Sequence, residues 1–388
     1  MKKILIGLLV LITVGIFLMS TLGVKLMDQS MNLVVEHEPY TISDEASELH
    51  ASLIVGDWHA DTALWNRDMQ GRHDFGHVDL ARMQEGNLGI QMFTTVTKSP
   101  AGQNYDSNET SARDNITMLA MAQLWPVVTW SSLTERALFQ AAKVRELAEK
   151  RPSDFALILT KSDLSDWQMV RGTNQDFAAG LIGTEGSHAL DGKLDNIDVL
   201  YDAGFRMMSL QHFFDNALGG SLHGTSQAGL TAFGKQAVEI MQAKDIIVDV
   251  SHSSEATVRD VLAQSTAPLV VSHTGFKGHC DTPRNIADEL MLQIAEAGGL
   301  IAVGFWPGAV CGTSPESVIE AIEYGVALVG EDHVALGSDF DGTVETSFDS
   351  SEMAVLTQTM LDRNMPESAI RKVMGGNMVR FLSENLPD

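Results

Sequence analysis

Seven side chains able to bind cations or move protons occupy one kind of position in this 388-residue chain: His59, Asp61, Glu185, His212, His252, His273 and Asp339 each close a short apolar run. Imidazoles and carboxylates in this proportion suit zinc-like cations. Three neutral rings with one or two carboxylates suffice for a pair of ions, one carboxylate bridging them. A bridged pair acidifies a shared water enough to supply hydroxide near neutral pH. A single histidine would mean little, because most are hydrogen-bonded structural residues. The signal is the shared placement of all seven.

That placement depends on the elements that carry them. Ile246-Ile-Val-Asp-Val250 leads to His252, and Leu269-Val-Val-Ser leads to His273, with an amphipathic interval between. Short Val- and Ile-rich runs are the pattern of buried parallel strands. Joined by a helix, two of them bring both imidazoles to one sheet edge. Further candidates begin at Leu53, Leu88, Ala178, Phe205, Gly299 and Val334, and a run from Phe155 to Thr160 reads as a strand outside the main sheet. Eight strands alternating with helical intervals predict a (β/α)8 TIM-like barrel with its active site at the carboxyl-terminal mouth. Helical patterns are expected from His77 to Glu85 and between Ser111 and Lys150, where Met118 and Met121 read as core filler.

Composition narrows the field. With 51 acidic and 26 basic residues the net charge is −25. A surface of that sign repels phosphate backbones, so no nucleic-acid partner is expected. Residues 1–24 start Met-Lys2-Lys3 and run uncharged from Ile4 to Val24, which is a signal segment or membrane anchor. The length favours an uncleaved anchor, although Thr21-Leu-Gly23 is a passable cleavage site. The lysine bias favours a cytoplasmic amino end and an exported body, on the periplasmic or extracytoplasmic side. Residues 25–50 read as a polar tether and 51–388 as the catalytic domain. Cys280 and Cys311 stand in no CxxC, so a cysteine zinc site is not expected, and whether they pair is open. Asn108-Glu-Thr110 and Asn115-Ile-Thr117 fit the glycosylation triplet.

A set of motifs carries a family resemblance: Asp57-Trp-His59-Ala-Asp61, His77-Val-Asp-Leu, Glu185-Gly-Ser-His188, Val250-Ser-His252-Ser-Ser-Glu-Ala-Thr, Ser272-His273 with Pro283-Arg284-Asn285, and Gly337-Ser-Asp339-Phe-Asp341-Gly342. In order and spacing, from about Leu53 to the end, the chain resembles the membrane (renal) dipeptidase family of zinc peptidases. The resemblance implies a barrel with two zinc ions that cleaves dipeptides, often tolerating a D-residue at the carboxyl-terminal position. It implies that His59 and Asp61 bind one zinc, His252 and His273 the other, and that Glu185 bridges. Asp339 would be the proton shuttle, His212 the oxyanion donor, and Arg284 the clamp on the substrate's free carboxylate.

The chain departs from the family at Ala60, where Asn is common, and at Thr62-Ala63, where Pro is frequent. Neither departure touches a ligand. The loop from Phe213 to His223 resembles bacterial members and is expected to line the side-chain pocket. His188 and His223 are expected to be hydrogen-bonded structural residues unless they contact the ligands or the substrate. Two other readings fit the same cage: a deaminase, lactonase or other amide hydrolase, and a silent metal-binding exported protein. A homodimer is compatible with either.

Overall fold

The computed structural model describes residues 2–388. All eight apolar runs form strands, and every residue in them is buried: β1 Val55–Ala60, β2 Leu88–Val96, β3 Ala178–Glu185, β4 Phe205–Ser209, β5 Ile247–Asp249, β6 Val270–Thr274, β7 Leu300–Val303 and β8 Val334–Leu336. Each pairs in parallel with its neighbours in sequence, and β8 returns to β1 through Leu336 and Asp57. The sheet is therefore a closed (β/α)8 barrel with no free edge in the ring. Gly337 permits the closure near the site, since any Cβ there would collide with the carbonyl oxygen of Ser272.

The surrounding helices start where short polar side chains cap them. Ser132 precedes Leu133–Lys150, Thr231 precedes Ala232–Ala243, Ser254 precedes Glu255–Gln264 and Ser314 precedes Pro315–Val329, each accepting a hydrogen bond from an orphan first-turn N–H. Their apolar faces, such as Leu290, Met291 and Ile294 of Asp288–Glu296, pack on the outside of the barrel.

Four details differ from the sequence reading. The strand Phe155–Leu157 is not outside the sheet. It pairs with Ala178–Gly180 on the stretch of β3 that β4 leaves open, and so joins the sheet without entering the ring. The helix expected from His77 starts only at Leu80, because Asp79 caps it and the backbone N–H groups of His77 and Val78 are held by Asp341. The pattern from Ser111 to Lys150 is two helices, Asn115–Ala122 and Leu133–Lys150, separated at Pro126. Met118 and Met121 are exposed rather than core residues.

Residues 28–50, read as a tether, lie along the barrel. Asp28 is buried against Arg67 at 2.9 Å, and the Asn32 side chain accepts from the Thr343 N–H. Leu33–Val34 pairs with Glu345–Thr346, and the Tyr40 hydroxyl donates to the Ser347 carbonyl. The apolar helix that begins at Lys2 continues through a π turn at Met19–Gly23 to Met31, and so is rooted at the carboxyl-terminal end of the barrel.

Candidate metal centre

Strand register brings the seven expected residues together at the barrel mouth. Oε1 of Glu185, at the end of β3, lies 3.6 Å from His59 Nε2, 3.4 Å from His212 Nε2, 3.4 Å from His252 Nε2 and 3.5 Å from His273 Nε2. His59 Nε2 is also 3.7 Å from Asp61 Oδ1 and 3.9 Å from Asp339 Oδ1. The Nε2 atoms of His252 and His273 face each other at 2.9 Å. Rings this close share a proton or a cation. Arg284 lies at the same place, fully buried.

Three of the four rings are aimed by a second partner, and Nδ1 of His252 has none among the described residues. Ser272 Oγ lies 3.0 Å from Nδ1 of both His59 and His273, and itself donates to Asp249 Oδ2 at 2.7 Å. This leaves the two Nε2 atoms directed into the site, and that of His59 has no hydrogen-bond partner among the described residues. His212 donates from Nδ1 to the Lys98 carbonyl at 3.1 Å, so in the neutral ring Nε2 turns a lone pair toward Glu185. His252 and Asp339 both adopt left-handed backbone, at φ 61° and 62°. For non-glycine residues that conformation is uncommon and collects at functional sites.

The electrostatics favour a bound cation. Burial lowers the imidazoles, His212 to about 4, so all are neutral at pH 7 and available as ligands. Burial and then the Asp339 charge push Glu185 up to about 8. Burial and mutual repulsion also hold Asp61 and Asp339 well above the carboxylate range. Three carboxyls in a desolvated site resist ionisation unless positive charge enters. Two overlapping groups are close enough to hold an ion: His59, Glu185, His273 and Asp339, and Glu185, His212 and His252. The donor set and the unpartnered His59 nitrogen fit such an ion.

The family model for membrane dipeptidase (peptidase family M19) matches residues 43–386. The chain belongs to the membrane dipeptidase family. Like the other members of this metallopeptidase family it is a metal-dependent dipeptide hydrolase. Curated relatives include dipeptidase ataJ of Aspergillus terreus, 27% identical over 80% of this chain and 77% of that protein. Dipeptidase verJ of Clonostachys rogersoniana is 28% identical over 79% and 75%. Among solved structures the barrel resembles a family M19 metallopeptidase named dipeptidase AC (TM-score 0.73, 22% identity, 87% of this chain and 100% of that one). It also resembles a metallopeptidase from Rhodobacter sphaeroides liganded with a phosphinate mimic of the dipeptide L-Ala-D-Ala (TM-score 0.67, 23% identity, 86% and 99%). At these identities the structural likeness concerns the fold.

The dipeptidase pocket above the cluster has a volume of about 280 Å³ and a wall that includes Tyr105, Phe213, Arg284 and Trp306. It suits a few residues of substrate rather than a protein chain. Arg284 is no surface salt bridge. Nη2 donates to the His273 carbonyl at 2.8 Å, Nη1 has no partner among the described residues, and the guanidinium lies 5.2 Å from the Trp306 ring. Its loop is pinned by the Cys280–Cys311 disulfide, left open by the sequence, and by the Asn285 amide, which donates to the carbonyls of Cys280 and Ala309.

Tyr105 and Trp306, which hydrogen-bond at 2.8 Å, carry no sequence signal among the motifs above. Trp306 follows β7, a strand-end position that could have flagged it. Tyr105 lies in a loop with no comparable signal. His223 makes the expected structural hydrogen bond, to the Tyr105 carbonyl, whereas His188 packs on Phe214.

Proposed function

We propose that this dipeptidase holds two zinc ions at the barrel mouth and hydrolyses dipeptides, including those with a D-residue at the carboxyl-terminal position. The observation that carries the reading is the position of Glu185, whose Oε1 lies within 3.6 Å of four imidazole Nε2 atoms. His59 and Asp61 would hold one ion and His252 and His273 the other, with Glu185 common to both. When bound, such ions supply a water acidic enough to attack near neutral pH.

The chain's own residues do the rest. Arg284 binds the substrate's terminal carboxylate through its free Nη1, its guanidinium carbon lying over the Trp306 ring. That contact fixes which end of a dipeptide enters the pocket. Asp339 takes the proton of the attacking water and returns it to the leaving amine. His212 is aimed toward the scissile carbonyl oxygen. With Nδ1–H on the Lys98 carbonyl and the ring lowered by burial to about 4, His212 is neutral in the free site, so donation from Nε2 requires a second proton taken up as negative charge develops on that oxygen. Tolerance of a D-residue is supported by the ligand of the Rhodobacter sphaeroides relative. Residues 1–24 serve as a retained anchor and 51–388 as the exported catalytic domain.

Arg284→Met tests the reading. It should lower kcat/KM for free dipeptides by about 10²-fold or more, the loss of a buried charge-assisted pair. Turnover of the carboxyl-amidated dipeptides should change little. Equal losses on both substrates would reject the clamp and favour another amide hydrolase on the same cage. Absence of turnover on L- and D-terminated dipeptides with two ions bound would favour a silent metal-binding protein.

A further inference from the structure

One surface of the molecule is unlike the others. From Asn115 to Thr134 the chain carries no charged residue, in a protein of net charge −25. The helix Asn115–Ala122 and the turn after it leave Met118, Met121, Leu124, Val127 and Val128 exposed, with Val127 at 71%. Packing does not require this, and a contiguous exposed apolar patch marks an interaction surface.

The amino-terminal helix indicates what covers the patch. A groove of about 1070 Å³ has Gly15, Met19 and Met27 on one wall and Met118, Met121 and Leu124 on the other. Gly15 and Met19 lie within the uncharged run from Ile4 to Val24. Twenty-one helical residues rise about 31 Å, the thickness of a bilayer's hydrocarbon core. The height of that helix is set by the barrel, through buried Asp28 on Arg67 and Asn32 on Thr343. The patch therefore stands beside the part of the helix that would lie in lipid. Leu64, Ser99, Gln103, Ile116 and Thr343 line both this groove and the metal pocket, so the pocket opens on the same side.

We infer that the surface formed by Met118, Met121, Leu124, Val127 and Val128 docks into the acyl region of the phospholipid leaflet nearest the barrel, so that the substrate entrance opens at the membrane surface. The inference rests on the reading of the first segment as a retained anchor. Charge supports it as well as continuity with the helix. An acidic exterior is repelled by anionic lipid, and this uncharged face is where approach costs least. A dipeptidase held in this way takes substrates released at the bilayer and admits them between the patch and the helix.

The test uses the full chain in vesicles of phosphatidylcholine and phosphatidylglycerol, with a nitroxide on V128C, V14C or M169C. Met169 is the far-side control, on the helix Lys161–Arg171 whose Trp167 and Arg171 bond to carbonyls at the amino-terminal ends of β3 and β2. Retained dipeptide turnover shows that each labelled variant is folded. At positions 14 and 128 collisions with oxygen should exceed those with a neutral nickel chelate several-fold, and at 169 the order should reverse. A label at 128 as open to nickel as that at 169, with 14 protected, overturns the docking and leaves the anchor. Exposure of 14 to nickel sinks the anchor and the docking together. Dipolar broadening between labels at 128 on separate copies would assign the patch to a second copy of this chain and also overturn the proposal. None of these outcomes bears on hydrolysis, which turnover in the same samples reports.

Discussion

Two sets of buried carboxylates stand within one barrel mouth and differ in how many hydrogen-bond donors the protein gives them. Asp341 accepts from Thr62 Oγ1 at 2.7 Å and from the N–H groups of His77 and Val78, and pairs with Arg67 at 2.6 Å. Burial alone would raise it, but the Arg67 charge and these donors hold it well below the usual carboxylate range. Asp57 accepts from the Ser338 N–H and hydroxyl, and Asp249 from Ser251 and Ser272, bonds that offset part of the rise that burial causes in both. Glu185 and Asp339, a few ångströms away, accept no backbone N–H or hydroxyl among the described residues, and Asp61 accepts only the Thr94 hydroxyl beside its contact with Glu185. The first set is neutralised or solvated by the protein and holds loops in place. The second is desolvated and lacks such donors, so its members stay protonated well above the usual carboxylate range unless a cation completes the site. Burial is common to both sets, so the number of donors, not depth, separates scaffold from function.

The largest effect expected from this contrast is at Glu185. Glu185→Gln should release bound metal and lower kcat by about 10³-fold or more, as expected when a cation-held nucleophile is lost. Metal analysis beside turnover checks both, and full retention of metal would remove Glu185 from the second set. Asp341→Asn should do the reverse. It leaves the Arg67 charge buried against Asp28 alone and should cost about 3 kcal/mol of stability by denaturant unfolding. The folded fraction should keep its metal. Loss of metal without loss of stability would break the comparison.

Ser272→Ala probes the link between the sets, because Ser272 connects Asp249 to the rings of His59 and His273. Metal affinity should fall about 10- to 100-fold, the usual cost of removing a ligand-orienting group. Competition with a chelator measures it, and unchanged affinity would mean that packing alone aims the rings.

The smallest effect is in pH dependence. Glu185 is raised to about 8 in the metal-free fold, so between pH 6.5 and 8 the native state carries a proton that the unfolded chain has lost. Metal-free stability therefore falls as pH rises through this window because of Glu185. The buried amine of Lys143, lowered to about 7, acts in the opposite direction, but equally with and without metal. The stabilisation conferred by a fixed free concentration of zinc should thus grow from pH 6.5 to 8, by up to about 1.4 kcal/mol per pH unit for each proton displaced. Paired melting curves read the difference directly. A constant difference would show Glu185 ionised without metal.

Most of the site is legible in the order of residues along the chain. His252 and His273 stand out because a Val- and Ile-rich run fixes a strand, and a strand fixes which edge its last residue reaches. Glu185 is conspicuous for a related reason, as a carboxylate that ends a wholly apolar run. Tyr105 escapes because loops carry no periodicity that places them. Met118 and Met121 mislead because helical spacing reports a face without saying whether anything covers it.

Residue types and their periods determined the eight strands, the seven groups at their ends, the acidic balance and the uncharged amino-terminal run, since each is a local property of the chain. Only the tertiary structure decided which carboxylates are satisfied. Asp57 meets Ser338 across 281 positions, and His77 meets Asp341 across 264. No local pattern carries that information, because a hydrogen-bond donor is defined by its distance in space. Closure of the barrel brings those partners to three acids and leaves Glu185, Asp339 and all but one oxygen of Asp61 without them.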